Sequence, residues 1–215
     1  SFLINIPGWQ LYNDYNIAIE KSIFRIVADN ESLFRYYEKN NTNPVKKSNI
    51  DGKIEYVWEY SNIPALKSEP FSLEISDYTP SVEISPNEFR YNSLVGNMNS
   101  WKDFGLWLYN LNKDRDALPI ETQEKIKQMV ASAQNDVDKV KILYKYLQSN
   151  TRYVSEQVGI GGYQTFEAER VNKLGYGDCK ALTNYMKALL KVVGIKSYYA
   201  FIYGDTYPPL FNKEF

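Results

Sequence analysis

Hydrophobic and polar residues alternate most regularly in "KIEYVWEY". Ile54, Tyr56, Trp58 and Tyr60 fall on one side, and Lys53, Glu55, Val57 and Glu59 on the other, the period of a half-buried strand. Asp51 and Gly52 supply a turn just before it. Weaker strand patterns run through "YNIAIEK" around Ile17 and Ile19, "SLFRYY" at Ser32 to Tyr37, and "SVEIS" at Ser81 to Ser85, with "NNTNP" and "SNIPALKSEP" as punctuation between them. The expectation for residues 1–95 is an antiparallel β-sheet or sandwich domain, incomplete at its start. Trp58 and the tyrosines read as the buried side of this sheet, with a glycan-binding face as the alternative.

From Asn92 the pattern is mixed. Trp101, Phe104, Trp107 and Leu108 recur at helical spacing, which predicts a short amphipathic helix within a connecting segment, residues 96–118. From Pro119 the period is 3.6. Ile126, Met129, Val130 and Ala133 line one helix, and Asp136 is positioned to cap a second with the face Val140, Leu143, Tyr144 and Leu147. "TRYV" predicts a short strand, and "GIGGYQTFEAERVNKLGYG" reads as a long glycine-bearing connection. The next helix is the clearest: Leu182, Tyr185, Met186, Leu189, Leu190 and Val193 form one apolar stripe, with Gly194 at its end. "IKSYYAFIY" predicts a strand after it. Residues 119–215 thus form a second, α+β domain.

Composition narrows the chemistry. Of 215 residues 44% are hydrophobic and 24% charged, as in a folded domain, and the net charge of -1 with scattered lysines excludes a nucleic-acid footprint. With one cysteine and no histidine, neither a disulfide framework nor a Cys/His metal site can form, and no metal or cofactor is expected. "GIGG" lacks the residues that follow it in a phosphate loop, which excludes nucleotide binding on that motif. No apolar run reaches the roughly 20 residues of a membrane span. "SFLINIPGWQ" does not read as a signal peptide, and both ends look cut.

The single cysteine, Cys179, stands in "KLGYGDCKALTNYM" just where the apolar helical stripe begins. A small buried hydrophobe would explain it. The alternative is a nucleophile in the first helical turn, with Asp178 as N-cap, where unsatisfied N–H groups and the helix dipole favour a thiolate and face an oxyanion. Gly175 and Gly177 would admit a substrate backbone. The charge of Asp178 opposes thiolate formation unless it turns to cap, and that of Lys180 supports it.

"GYGDCKALTNYMKALLKVVGIKSYYAFIY" resembles the active-site segment of the transglutaminase-like superfamily, and "DKVKILYKYLQSNTRYV" is similar to the helix and strand that precede it in bacterial members. "SNIPALKSEP" and the strands before it resemble a β-rich domain of unassigned role that often precedes such a domain in bacterial proteins. The resemblance implies a partial papain-like fold over 119–215, with Cys179 as nucleophile supported by Gly177 and Asp178, and a histidine and an aspartate supplied beyond Phe215. Asp205 falls too early to be that aspartate and reads as part of a turn. By the same resemblance Gln164 is a candidate oxyanion donor. Ala181 departs from the acid that many bacterial members carry there.

Two functions follow from this reading. One is thiol-dependent acyl transfer on protein or peptide amides, as a protease, amidase or transglutaminase, with residues 1–215 alone inactive for want of the base. The other is a non-catalytic module binding protein or glycan at a cell surface. Family habit points to an exported protein, periplasmic or at the cell surface, whereas the lack of paired cysteines favours a reducing compartment and keeps the cytoplasm as the alternative. "NES" at Asn30 and "NNT" at Asn40 match glycosylation acceptors, triplets that arise by chance in a chain rich in asparagine.

Overall fold

The alternating run through Trp58 lies at the centre of a sheet. In a computed structural model, which describes residues 6–156, 158–202, 204 and 212–215, the chain divides into two units, Ser1–Gly105 with Asp205–Phe215, and Leu106–Gly204. The fold is α+β.

The first unit contains β1 (Trp9–Gln10), β2 (Ile19–Ala28), β3 (Phe34–Lys39), β4 (Lys46–Ile50), β5 (Lys53–Ile63), a short helix α1 (Ile75–Tyr78), β6 (Ser81–Pro86), β7 (Glu88–Tyr91) and β8 (Leu94–Asn97). Two three-stranded antiparallel sheets, β2-β5-β4 and β1-β6-β3, account for most of them, and β7 pairs with β8. Asp51 (φ 49°) and Gly52 (φ 78°) turn β4 into β5, and two left-handed residues in succession are what a two-residue hairpin loop requires.

The register puts Trp58 opposite Phe24 and Tyr56 opposite Ile26. From the other sheet, Phe34 meets Tyr56 at 5.1 Å and Tyr36 meets Trp58 at 5.3 Å between ring centroids. Trp58 is 0% exposed and its indole N–H donates to Glu38. Tyr56, Trp58 and Tyr60 are therefore interior, which removes them as a glycan-binding face. The strand expected from Ser32 begins at Phe34 instead. Asn30 caps a 3₁₀ turn over Glu31–Leu33, accepting from the backbone N–H of Ser32 at 3.0 Å, and delays the extended backbone.

The helix α2 (Trp101–Asn112) begins in the first unit and continues into the second. Its buried residues are Trp107 and Leu111, whereas Trp101 is exposed, so the tryptophans do not share one buried face.

The second unit continues with α3 (Ile120–Met129), α4 (Asp136–Asn150), β9 (Arg152–Tyr153), α5 (Ala168–Leu174), β10 (Tyr176–Gly177) and α6 (Cys179–Val192). The short strands β9 and β10 pair in parallel. Its core joins Leu118, Ile126, Val130, Leu143, Leu147, Val171, Tyr185 and Leu189, with α6 at the centre against α3, α4 and α5. Burying side chains such as Ile126, Leu143 and Leu189 completely contributes about 1.5–3 kcal/mol each.

Four details differ from the sequence reading. Asn135, not Asp136, caps α4, accepting from the N–H of Asp138 at 3.0 Å. Tyr144 points outward at 52% exposure, and Tyr146 packs inward in its place. Residues 168–174 form α5 rather than a connection; with Ala168 and Val171 its only buried residues, this helix is too short to show a period. Residues 195–202 are not a strand, since none among the described residues pairs with them. Asp205 and Tyr203 lie outside the described residues. Among those residues no helix is long and apolar enough to cross a membrane.

Candidate active site

The chain reaches Cys179 through two tightly placed glycines. Gly175, at φ 66°, ends α5 in the left-handed conformation, its N–H donating to the carbonyl of Val171 at 2.8 Å. Gly177 lies so close to α6 that a Cβ there would stand 2.7 Å from Cβ of Ala181. Both glycines serve the passage from α5 through β10 into α6.

Asp178 precedes the helix in extended conformation (φ -80°, ψ -177°), and its Oδ1 accepts from the N–H of Ala181 at 2.9 Å. The carbonyl of Asp178 accepts from Leu182 at 2.9 Å. The N–H groups of Cys179 and Lys180 come before the first intrahelical bond and stand at the positive end of a 14-residue helix. Cys179 is exposed, so the plain reading of a buried, inert thiol does not describe it. Thr183 Oγ1 donates to the carbonyl of Cys179 at 2.7 Å.

Lys180 is placed otherwise than its sequence suggests. Its ammonium is bonded to Oδ2 of Asp178, and both side chains are 5% exposed. The lysine charge is thus matched by the carboxylate and does not act on the thiol as a free cation. The carboxylate is equally matched.

Tyr199 was not legible as a site residue. Its phenol is pushed up to about 12, by burial first and then by the charges of Cys179 and Asp178, so it stands within electrostatic reach of the thiol and stays protonated at neutral pH. Its ring meets that of Phe201 edge-on at 5.7 Å. Two aromatics two residues apart in "SYYAF" are the sequence signal for it, and they read there as a strand pattern.

Gln164 is tied elsewhere. Its Nε2 donates to the carbonyl of Leu111 at 3.1 Å, while Asn112 accepts from the N–H of Thr165 at 2.8 Å and donates to the carbonyl of Tyr163 at 3.3 Å. These bonds fasten residues 163–165 to the end of α2. The next residue, Phe166, is held from α6 by the buried Asn184, whose Nδ2 donates to the carbonyls of Arg115 and Phe166 at 2.8 and 3.1 Å.

Among the described residues no group of His, Cys, Asp and Glu is arranged to hold a metal ion. A polar cleft of about 510 Å³ lies between α3, α4 and α5, with Tyr146, Asn172 and Tyr185 in its wall; neither Cys179 nor Asp178 lines it.

The second unit thus presents an exposed cysteine at the capped head of its central helix. Residues 123–212 match the sequence model of the transglutaminase-like superfamily. The fold is similar to the crystal structure of a candidate protease from Parabacteroides distasonis, with a TM-score of 0.58 and 17% sequence identity over 87% of this chain. The chain spans about a third, 34%, of that protein's length. No curated protein matches the sequence.

Proposed function

We propose that Cys179 is the nucleophile of a thiol-dependent acyl transfer on protein or peptide amides. The observation that carries this reading is the exposure of the sulfur at the first position of α6, beside the N–H groups that the cap leaves unbonded, within a transglutaminase-like segment. The thiolate adds to the amide carbonyl carbon, and the helical N–H groups face the oxyanion. The C–N bond then breaks as a protonated base gives its proton to the departing amine, leaving a thioester on Sγ. Water or a second amine attacks the thioester, returns a proton to the base and frees the thiolate. Hydrolysis and cross-linking share every step up to the thioester.

The base cannot be a histidine of these residues, because the 215 contain none. On this reading a histidine and its orienting aspartate come from sequence outside them. Gln164 retains a second amide N–H and remains the proposed auxiliary oxyanion donor. Support for a protein substrate comes from the similarity to the candidate protease.

The missing histidine also favours a second reading, a non-catalytic module that binds protein. An activated ester separates the two, since its acyl group passes to a thiolate without help from a base. Treated with p-nitrophenyl acetate, the chain should gain one acetyl group on Cys179, and Cys179→Ala should gain none there. Absence of that adduct in the folded chain would favour the binding module.

A further inference from the structure

We infer that Lys180 is a positioning residue, whose buried ammonium neutralises the Asp178 carboxylate and thereby keeps the capped helix head compatible with a negative sulfur at Cys179. The inference rests on reading Cys179 as the nucleophile.

The argument begins with a conflict at the head of α6. Aspartate is among the best N-cap residues because its charged oxygen accepts strongly from the first-turn N–H groups. It is also a poor neighbour for a thiol that must ionise, since a like charge close by disfavours the anion. Asp178 occupies both positions at once, capping through Oδ1 and adjoining Cys179. The structure resolves the conflict with its second oxygen. Oδ2 accepts from Lys180, the residue just beyond the cysteine, so the two partners flank it in the chain. The two charged side chains point inward while the sulfur between them faces out.

Lysine is almost never buried without a partner. At 5% exposure Lys180 is in place because the carboxylate is there, and the carboxylate is tolerated because Lys180 is there. Burial shields the pair from salt, so the neutralisation persists where an exposed pair would be screened. Tyr199 is uncharged at neutral pH, and Arg152 of β9 lies over the ring of Tyr176 at 5.9 Å. A mutation that removes the ammonium and leaves the carboxylate therefore exposes the sulfur to an uncompensated negative charge.

The test follows iodoacetamide alkylation of Cys179 from about pH 5 to pH 10, which reads the thiolate without substrate, base or partner domain. Lys180→Met should move the midpoint of the pH–rate profile upward by about one unit, so that alkylation at neutral pH slows roughly tenfold. The plateau at high pH, where every molecule is ionised, should not change. Lys180→Arg should keep the native profile.

Should Lys180→Met fail to fold, Asp178→Asn combined with Lys180→Met carries the test, because asparagine keeps the cap while both charges are gone. That double variant should alkylate with the native profile. A folded Lys180→Met with an unshifted profile, or a double variant displaced from the native profile, would overturn the inference. Failure of the acetyl-transfer experiment leaves these profiles unaffected, so the two readings fall separately.

Discussion

Lys180 reaches back past Cys179 to the carboxylate of Asp178, and the two charged side chains are buried while the thiol between them is exposed. Residues consecutive in the chain thus divide between interior and surface at the head of one helix. The interior pair fixes the backbone from which the sulfur projects.

Removing the carboxylate should therefore cost more than a cap alone. Asp178→Ala loses the bond to the Ala181 N–H, about 1 kcal/mol, and strands Lys180 as a buried unpaired charge, roughly 3–5 kcal/mol more. Asn135→Ala, at the exposed cap of α4, should lose only about 1 kcal/mol. Urea unfolding midpoints of the two variants measure the difference, and equal losses would show that the Asp178–Lys180 pair adds nothing.

Gly177 is required by distance. A methyl group there would stand 2.7 Å from Cβ of Ala181, so Gly177→Ala should destabilise by about 1–3 kcal/mol through overpacking. Adding Ala181→Gly should restore part of that loss, since it removes the atom that clashes. Denaturant titration of the single and double variants provides the comparison.

The sequence made some of this plain and hid the rest for physical reasons. The strand through Trp58 was legible because burial on one face of a sheet leaves a period of two, and α6 because burial of Tyr185 and Leu189 leaves a period of 3.6. Helix α5 was not, since seven residues with two buried positions leave no period to read. Cys179 stood out as the only thiol at a predicted helix start. Lys180, in contrast, read as a charge supporting the thiolate, and only the folded chain shows it turned inward onto Asp178. Tyr199 reaches the site through the path of the chain after α6, which local pattern does not encode.

The centre of α6 should be the most sensitive part of the second unit. Leu189 is fully buried between α6 and its neighbours, and Leu189→Ala should cost about 2–5 kcal/mol. A loss under about 1 kcal/mol in thermal or urea unfolding would contradict a core organised on this helix.

Acid should weaken the same helix through Asp116. Burial raises its carboxyl, but hydrogen bonds from Lys187 at 2.7 Å and Lys191 at 2.8 Å outweigh burial and hold it below the usual carboxylate range. A value lower in the folded than in the unfolded chain gives stability that is present above about pH 4 and lost as pH falls through the folded-state value. Lys191 is 66% exposed, so the contribution is about 1 kcal/mol at most. Asp116→Asn should remove that part of the acid sensitivity in melts compared between about pH 5 and pH 3.

The central claim is that folding makes Cys179 a better nucleophile than the same residue in an open chain. It is tested most directly by the rate of iodoacetamide alkylation of Cys179 at neutral pH, measured by mass spectrometry in the native protein and in the same protein unfolded in urea. The account predicts faster alkylation in the native state, where the sulfur is exposed beside N–H groups that the cap leaves unbonded. A native rate equal to or below the unfolded one would contradict it.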